Sequence, residues 1–225
     1  MPITIDKVDD GLPISVIIPL SKKRRDFFNN FVLPLIEANN PAEIIINDNI
    51  GSAPKKRNDG FDKSTQPYVF FCDDDILLPA DHLENLLKAL EKARGNELKS
   101  YPSEPSIGYA YSGYKGIVLH PESHPMRGNF DIPTRIFNPT ALKSGNYIST
   151  MSLINRDVFP RFDESLKRLQ DWDLWLTMLK DNTHGVAVLN NEFYAYYLDE
   201  GITSNTNNER EGLMKIFEKH KIGTW

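Results

Sequence analysis

The run Tyr68-Val69-Phe70-Phe71-Cys72 ends abruptly in three consecutive carboxylates, Asp73-Asp74-Asp75. A short apolar run with β-branched and aromatic residues reads as a buried strand, which puts the acids at its C-terminal edge. In open α/β sheets that edge is where ligands bind. Three adjacent carboxylates repel one another, so they are costly unless solvent or a cation sits among them. An oxygen-rich, thiol-poor cluster suits Mg²⁺ or Mn²⁺, commonly shared with substrate phosphates. The competing reading is an acidic turn that caps a helix starting near Ala80.

The flanking pattern extends the strand into a sheet. Ile14 to Leu20 is a compact β-branched run, read as a central strand that Pro19 ends because proline cannot donate to the ladder. Ser21 and the cations Lys22-Lys23-Arg24-Arg25 follow. They read as a solvated loop, with a phosphate or base contact as the alternative. A helical pattern runs from Phe27 to Glu37, and a second strand, Glu43 to Ile46, ends in Asn47-Asp48-Asn49. Strand, helix, strand at this spacing predicts a parallel sheet. Asp48 sits at another C-terminal strand edge, although Asx residues favour turns on their own account. Ile50 to Asp59 reads as a loop over the site, leading into a short helix near Asn58 to Lys63.

Beyond the acids, Leu83, Leu86, Leu87 and Leu90 have helical spacing within a helix from Asp81 to Arg94, with Gly95 as its C-cap. Ser100 to Ser106 reads as a loop, and Ile107 to His120 as an antiparallel strand or hairpin. Pro121 to Asn146 is long enough for a functional loop. His120 and His124 are four apart, but Pro121 and Pro125 forbid the helix that would align them as ligands. Tyr147 to Asn155 reads as a strand. Gln170 opens an amphipathic helix with Leu169, Trp172, Leu176 and Leu179 on one face. Asp171 and Asp173 lie in its first turn, where carboxylates favour the helix dipole. Strands at Gly185 to Leu189 and Phe193 to Leu198, then a helix from Arg210 to His220, complete the chain.

Composition removes several function classes. A formal net charge of -5 over 225 residues gives no electrostatic footprint for nucleic acid. The single cysteine, Cys72, rules out an internal disulfide and a multi-cysteine zinc site. No stretch approaches the roughly 20 apolar residues of a membrane span, and the first residues lack a signal-peptide core. A soluble, cytoplasmic protein is the expectation.

Taken together, these segments resemble the family-2 glycosyltransferases over nearly the whole chain, from about Pro13 to Ser204. Ile14 to Pro19 is similar to the family's opening strand, and Glu43 to Asn49 to its second strand with an aspartate at the nucleotide base. Lys56-Arg57-Asn58-Asp59-Gly60 is similar to the Arg-Asn-x-Gly segment. Asp73-Asp74-Asp75 matches the DXD motif. Phe162-Asp163-Glu164-Ser165-Leu166 with Gln170-Asp171-Trp172-Asp173 resembles the Phe-Asp-Glu-x-Leu and Glu-Asp-Trp segments. Three departures stand out. No glycine directly follows Asn49, where the family often has Gly-Ser. Gln170 replaces the acid before the catalytic aspartate, and Tyr196-Tyr197-Leu198-Asp199 stands where the family has Tyr-Arg-x-His, with Asp199 as a substitute oxygen ligand in view.

The resemblance implies an α/β GT-A fold, Rossmann-like, with a mixed, mostly parallel central sheet flanked by helices in a single domain. Residues 13–100 would bind the nucleotide sugar, 101–205 would hold the acceptor and the catalytic base, and a helix over 209–221 would follow. It implies an inverting, metal-dependent transfer from a nucleotide-diphosphate sugar, first of all a UDP-sugar, to a hydroxyl of a glycan. Asp171 would be the general base. Asp73 and Asp75 would hold Mn²⁺ or Mg²⁺. Pro19, Leu20, Ser21, Asp48, Arg57, Asn58, Asp73 and Asp74 would contact the donor, and Trp172 and Asp173 the acceptor. Acceptor recognition and closure are expected in Pro121 to Asn146 and Asp199 to Asn208. The rival readings are a non-catalytic module that binds a nucleotide sugar and a sugar-nucleotide pyrophosphorylase. The second should carry a glycine-rich loop after the first strand, and Pro19 to Phe28 contains no glycine.

Overall fold

The computed structural model describes residues 3–97, 105–119, 128–197 and 206–223. Its first strands are β1 (Thr4–Lys7) and β2 (Leu12–Ile18). β2 alternates between two buried faces. Ile14, Val16 and Ile18 enter one core, while Ile17 enters the other. Such a strand needs apolar residues on both sides, hence the unbroken run in the sequence.

After β2 the chain winds through a 3₁₀ turn (Lys22–Arg24), α1 (Arg25–Phe27), a π-helical turn (Phe28–Val32) and α2 (Leu33–Ala38). β3 (Pro41–Ile46) returns parallel to β2, pairing Val16 with Ile44 and Ile18 with Ile46. α3 (Ala53–Phe61) starts earlier than the sequence suggests. Ser52 caps it by accepting from the Lys55 N–H, and Pro54 occupies its first turn, where no intrahelical donor is needed. The segment expected as a loop is therefore largely helix. Gly60 lets α3 lie against β2, since a Cβ there would stand 2.5 Å from the Ile17 side chain.

β4 (Tyr68–Phe71) is parallel to β2, and β5 (Ile76–Leu77) follows the acids. α4 (His82–Glu97) buries Leu83, Leu86 and Leu90 against the first core. It runs through Gly95, which is a helical residue rather than a cap.

β6 (Ser106–Tyr111) and β7 (Tyr114–Val118) form neither the single strand nor the hairpin expected of Ile107 to His120. They belong to different sheets. The crossing is at Gly113, where a Cβ would stand 2.2 Å from the Ile132 carbonyl oxygen. β8 (Phe130–Ile132) and α5 (Pro139–Ser144) break up the long proline-rich stretch. β9 (Ser152–Asn155), α6 (Gln170–Lys180), β10 (Thr183–Ala187), β11 (Phe193–Tyr197) and α7 (Thr206–His220) follow. His120, His124 and Asp199 lie outside the described residues.

The main sheet has seven strands in the order β1-β3-β2-β4-β9-β6-β10. The β3-β2-β4 group and the β6/β10 pair are parallel, and β1, β9 and their neighbours pair antiparallel. The sheet is thus mixed, with its parallel half carrying the N-terminal strands. A smaller sheet, β5-β11-β7-β8, covers one end. The two apolar cores lie on opposite faces of the main sheet, and Cys72 is a buried free thiol in the first. Among the described residues, no helix is long and apolar enough to cross a membrane.

Candidate active site

The ends of β2, β3 and β4 open on a cavity of about 770 Å³. Parallel strands point their C-terminal ends the same way, so Pro19, Asp48 and Asp73 arrive together although they are far apart in sequence. The N-termini of α3 and α6 contribute Ala53 and Gln170 to the same wall. A second cavity of about 290 Å³ adjoins it, with Asp73, Asp75, Thr150 and Asp171 lining both.

The acidic triplet is held by cations and a backbone donor. Asp74 is buried and accepts from the Ser21 N–H at 2.6 Å and from Arg24 Nη1 at 2.8 Å. The same Arg24 nitrogen lies 2.6 Å from Asp75 Oδ2. Asp73 accepts from Arg57 Nη2 at 2.5 Å. Burial raises the pKa of Asp74 despite these donors. Burial also pushes Asp75 up to about 7, with Arg24 opposing and Asp73 and Asp74 adding repulsion. Cations are therefore favoured here, as three neighbouring carboxylates require.

Arg57 joins the triplet to α6. Its guanidinium is buried, faces the Phe162 ring at 5.3 Å and lies 3.5 Å from Gln170 Oε1, while its Nε has no protein partner. Asp48 pairs with Arg25 at the rim. Lys56 reaches from α3 to the Leu20 carbonyl at 2.7 Å, tying the loop after β2 to the next helix.

Asp171 stands at the first turn of α6. Leu169 precedes the helix in the left-handed region (φ 62°), a conformation that side chains avoid unless tertiary packing imposes it. That turn aims the Asp171 carboxylate into both cavities. Its Oδ1 accepts from the Trp172 N–H at 2.9 Å and its Oδ2 from Asn146 Nδ2 at 2.7 Å. Burial raises its pKa, with the Trp172 N–H, Arg57 and Asn146 opposing.

The structure therefore brings Pro19, Ser21, Asp48, Arg57, Asp73, Asp74, Asp75 and Asp171 together at one cavity. It separates the other expected site residues from it. The Leu20 side chain is fully buried in the first core and lines neither cavity. Asn58 is buried and bonded to Phe162. Trp172 packs in the second core and donates its indole N–H to the Leu142 carbonyl at 2.7 Å. Asp173 is buried on the far side of α6 against Lys219 at 2.8 Å and His220 at 2.8 Å. Trp172 and Asp173 thus line neither cavity, because helical periodicity turns them away from Asp171. The sequence does not single out Thr150, which lies in irregular backbone within the segment read as a strand, while Asn146 ends the stretch read as a functional loop. It undervalued Arg24, whose run of four cations looks like any solvated loop.

The donor set for a metal consists of carboxylates. Asp73 and Asp75 face both cavities, and a guanidinium already sits against Asp75. Among the described residues, no group of three or more His, Cys, Asp or Glu side chains is arranged around one point. Two carboxylates suffice for Mg²⁺ or Mn²⁺ when substrate phosphates and water fill the remaining positions, so the residues fit that kind of ion.

Comparison with known proteins agrees with this architecture. A search of curated protein sequences found no match. Among solved structures, S. aureus TarS 1-349 in complex with UDP-GlcNAc superposes with a TM-score of 0.61 at 13% identity, covering 92% of this chain and 66% of that one. The same TarS fragment with UDP gives 0.57 at 14% identity, over 92% and 65%. The mannosyltransferase PcManGT from Pyrobaculum calidifontis, in complex with GDP-Man and Mn²⁺, gives 0.53 at 13% identity, over 97% and 68%. The chain spans about two thirds of the length of these relatives. At such identities the likeness is one of fold, here the GT-A fold. The sequence itself matches the family described as "Glycosyl transferase family 2" over residues 15–162, well over half of the chain, and the chain belongs to that family.

Proposed function

We propose that the chain moves a sugar from a nucleoside-diphosphate donor to an acceptor hydroxyl on a glycan, with inversion at the anomeric carbon and Asp171 as general base. The observation that carries this reading is that Asp171 and the acidic strand end share both cavities, so a base and a diphosphate site face one reaction centre. Residues up to about 100 would hold the donor and those from 101 to 205 the acceptor.

The nucleoside would lie along Pro19, Ser21 and Asp48. Its diphosphate would meet Lys22, Lys23, Lys56 and Lys167, cations that line the same wall. Asp73 and Asp75 would hold Mg²⁺ or Mn²⁺, an ion that neutralises negative charge on the departing diphosphate when bound. Asp171 would take the acceptor proton as the hydroxyl oxygen bonds to the anomeric carbon. The carbon–phosphate oxygen bond breaks in the same event, and its electron pair leaves with the diphosphate. A carboxylate raised in pKa by burial is a stronger base than an exposed one, which suits that role. TarS is described with UDP-GlcNAc and PcManGT with GDP-Man and Mn²⁺, so uridine and guanosine donors are the first to try.

The test is calorimetric titration of UDP and GDP with Mn²⁺ and then with chelator. Micromolar binding that needs metal and disappears in Asp75→Ala supports the reading. If no common nucleoside diphosphate binds with Mn²⁺ present, the acidic triplet is a turn and the reading fails.

A further inference from the structure

Asn146 lies in the short irregular stretch between α5 and β9, at the end of the stretch in which acceptor recognition is expected. Its side chain is nevertheless fixed at both ends. Oδ1 accepts from the Ile148 N–H at 3.1 Å, which leaves Nδ2 to donate to Asp171 Oδ2 at 2.7 Å. Because a backbone N–H must face an acceptor, this bond sets which way the amide points.

The stretch itself is fastened to the helix that carries Asp171. Trp172 Nε1 donates to the Leu142 carbonyl at 2.7 Å, and Trp175 Nε1 donates to the Ile148 carbonyl at 3.0 Å. Both indoles and Ile148 are buried in the second core. Residues 142 to 148 are thus bracketed by two buried hydrogen bonds from successive positions on one face of α6. Asn146 is itself exposed but sits inside that bracket, between two points anchored to the helix. The remaining oxygen, Asp171 Oδ1, accepts from the backbone of its own first turn. The two carboxylate oxygens thus accept from different donors, Oδ1 from the Trp172 N–H and Oδ2 from Asn146 Nδ2. A carboxylate on a two-bond side chain with only one donor would be free to rotate about its final torsion, whereas two donors on different oxygens remove that freedom.

We propose that Asn146 is the positioning residue for Asp171, holding its carboxylate plane so that one lone pair faces the acceptor hydroxyl. This rests on Asp171 being the base. It adds that the tryptophans of α6 serve the site at a distance, by keeping Asn146 in place.

The experiment compares wild type with Asn146→Ala, the near-isosteric Asn146→Leu and Asn146→Asp, and Asp171→Asn, measuring steady-state kinetics, UDP or GDP affinity with Mn²⁺, and melting temperature. Positioning predicts that Asn146→Ala and Asn146→Leu lower kcat by roughly ten- to a hundredfold, as misplacement of a reacting group does. Donor KM and nucleotide affinity should stay within about twofold, well under the tenfold change in Kd that a loss of about 1.4 kcal/mol would give. Asn146→Asp, which keeps the shape but replaces the donor with a second charge, should be at least as damaging. A residue that merely closes the loop would instead lower the melting temperature and weaken nucleotide binding in proportion. Wild-type kcat in Asn146→Leu together with a dead Asp171→Asn overturns the positioning role and leaves the base intact. Full turnover in Asp171→Asn overturns the base reading, and the positioning role falls with it.

Discussion

The Asn58 side-chain amide donates to the Phe162 carbonyl at 2.9 Å and accepts from the Phe162 N–H at 3.0 Å, both bonds buried. It also reaches Glu164 at 3.0 Å. A side chain on α3 thus imitates a paired strand, joining the N-terminal half of the chain to the segment that leads into α6. Asn58→Ala would leave both Phe162 backbone groups buried without partners, a loss on the order of 3 kcal/mol. Urea unfolding should show that loss, while nucleotide affinity of the folded fraction stays near wild type. Lost affinity with unchanged stability would return Asn58 to the donor site.

Asp171→Asn preserves shape and removes the carboxylate proposed as the base. The expected result is turnover lower by roughly 10² to 10⁴, as for loss of a general base, with nucleotide binding retained by calorimetry. Binding and turnover falling together would mean that Asp171 holds the donor.

His82 is buried between the rings of Phe70 and Phe193, with neither ring nitrogen bonded. Burial lowers its pKa from 6.5 to about 4. A base with a depressed folded pKa binds its proton first in the unfolded chain. Its contribution is therefore present above pH 6.5 and is lost as pH falls toward 4, by up to about 3 kcal/mol. His82→Leu should flatten the unfolding free energy across that window. An unchanged pH profile in the variant would show that the histidine is protonated or solvated in the fold.

Glu43 acts lower on the pH scale. Burial alone would raise its pKa, but donors from Ser15, Thr65 and Lys7 outweigh it and bring it to about 2. A depressed acid contributes above its unfolded value of 4.5, and the contribution disappears as pH falls toward 2. Glu43→Gln should therefore be less stable than wild type at pH 7, and the difference should shrink as pH falls from 4.5 toward about 2.

Asp173 fastens α7 to α6 through Lys219 and His220, and Trp172 meets Phe217 ring edge to face nearby. Lys219 is 43% exposed, so its share is partly screened. Asp173→Ala should cost on the order of 2 kcal/mol, less than the roughly 3–5 kcal/mol of a fully buried pair because Lys219 is partly exposed. Hydrogen exchange should rise over residues 206–220 before the central strands.

Much of this molecule is legible in its sequence because two local patterns are strong. Unbroken apolar runs at Ile14 to Ile18 and Tyr68 to Phe71 can be buried only as central strands, and acids directly after the second must lie at a sheet edge. Helical spacing set the start of α6 at Gln170, and with it the first-turn position of Asp171. Other features depended on contacts between residues distant in the chain. Asn58 and Asp173 look like site residues in a motif, but their partners lie 104 and 47 positions away. Ile107 to His120 looks like one β unit, yet packing at Gly113 sends its halves into separate sheets. Local periodicity fixes which face of an element is apolar. Only the tertiary structure decides which polar side chains reach the cavity and which meet each other first, because that choice is made by long-range hydrogen bonds that leave no period in the sequence.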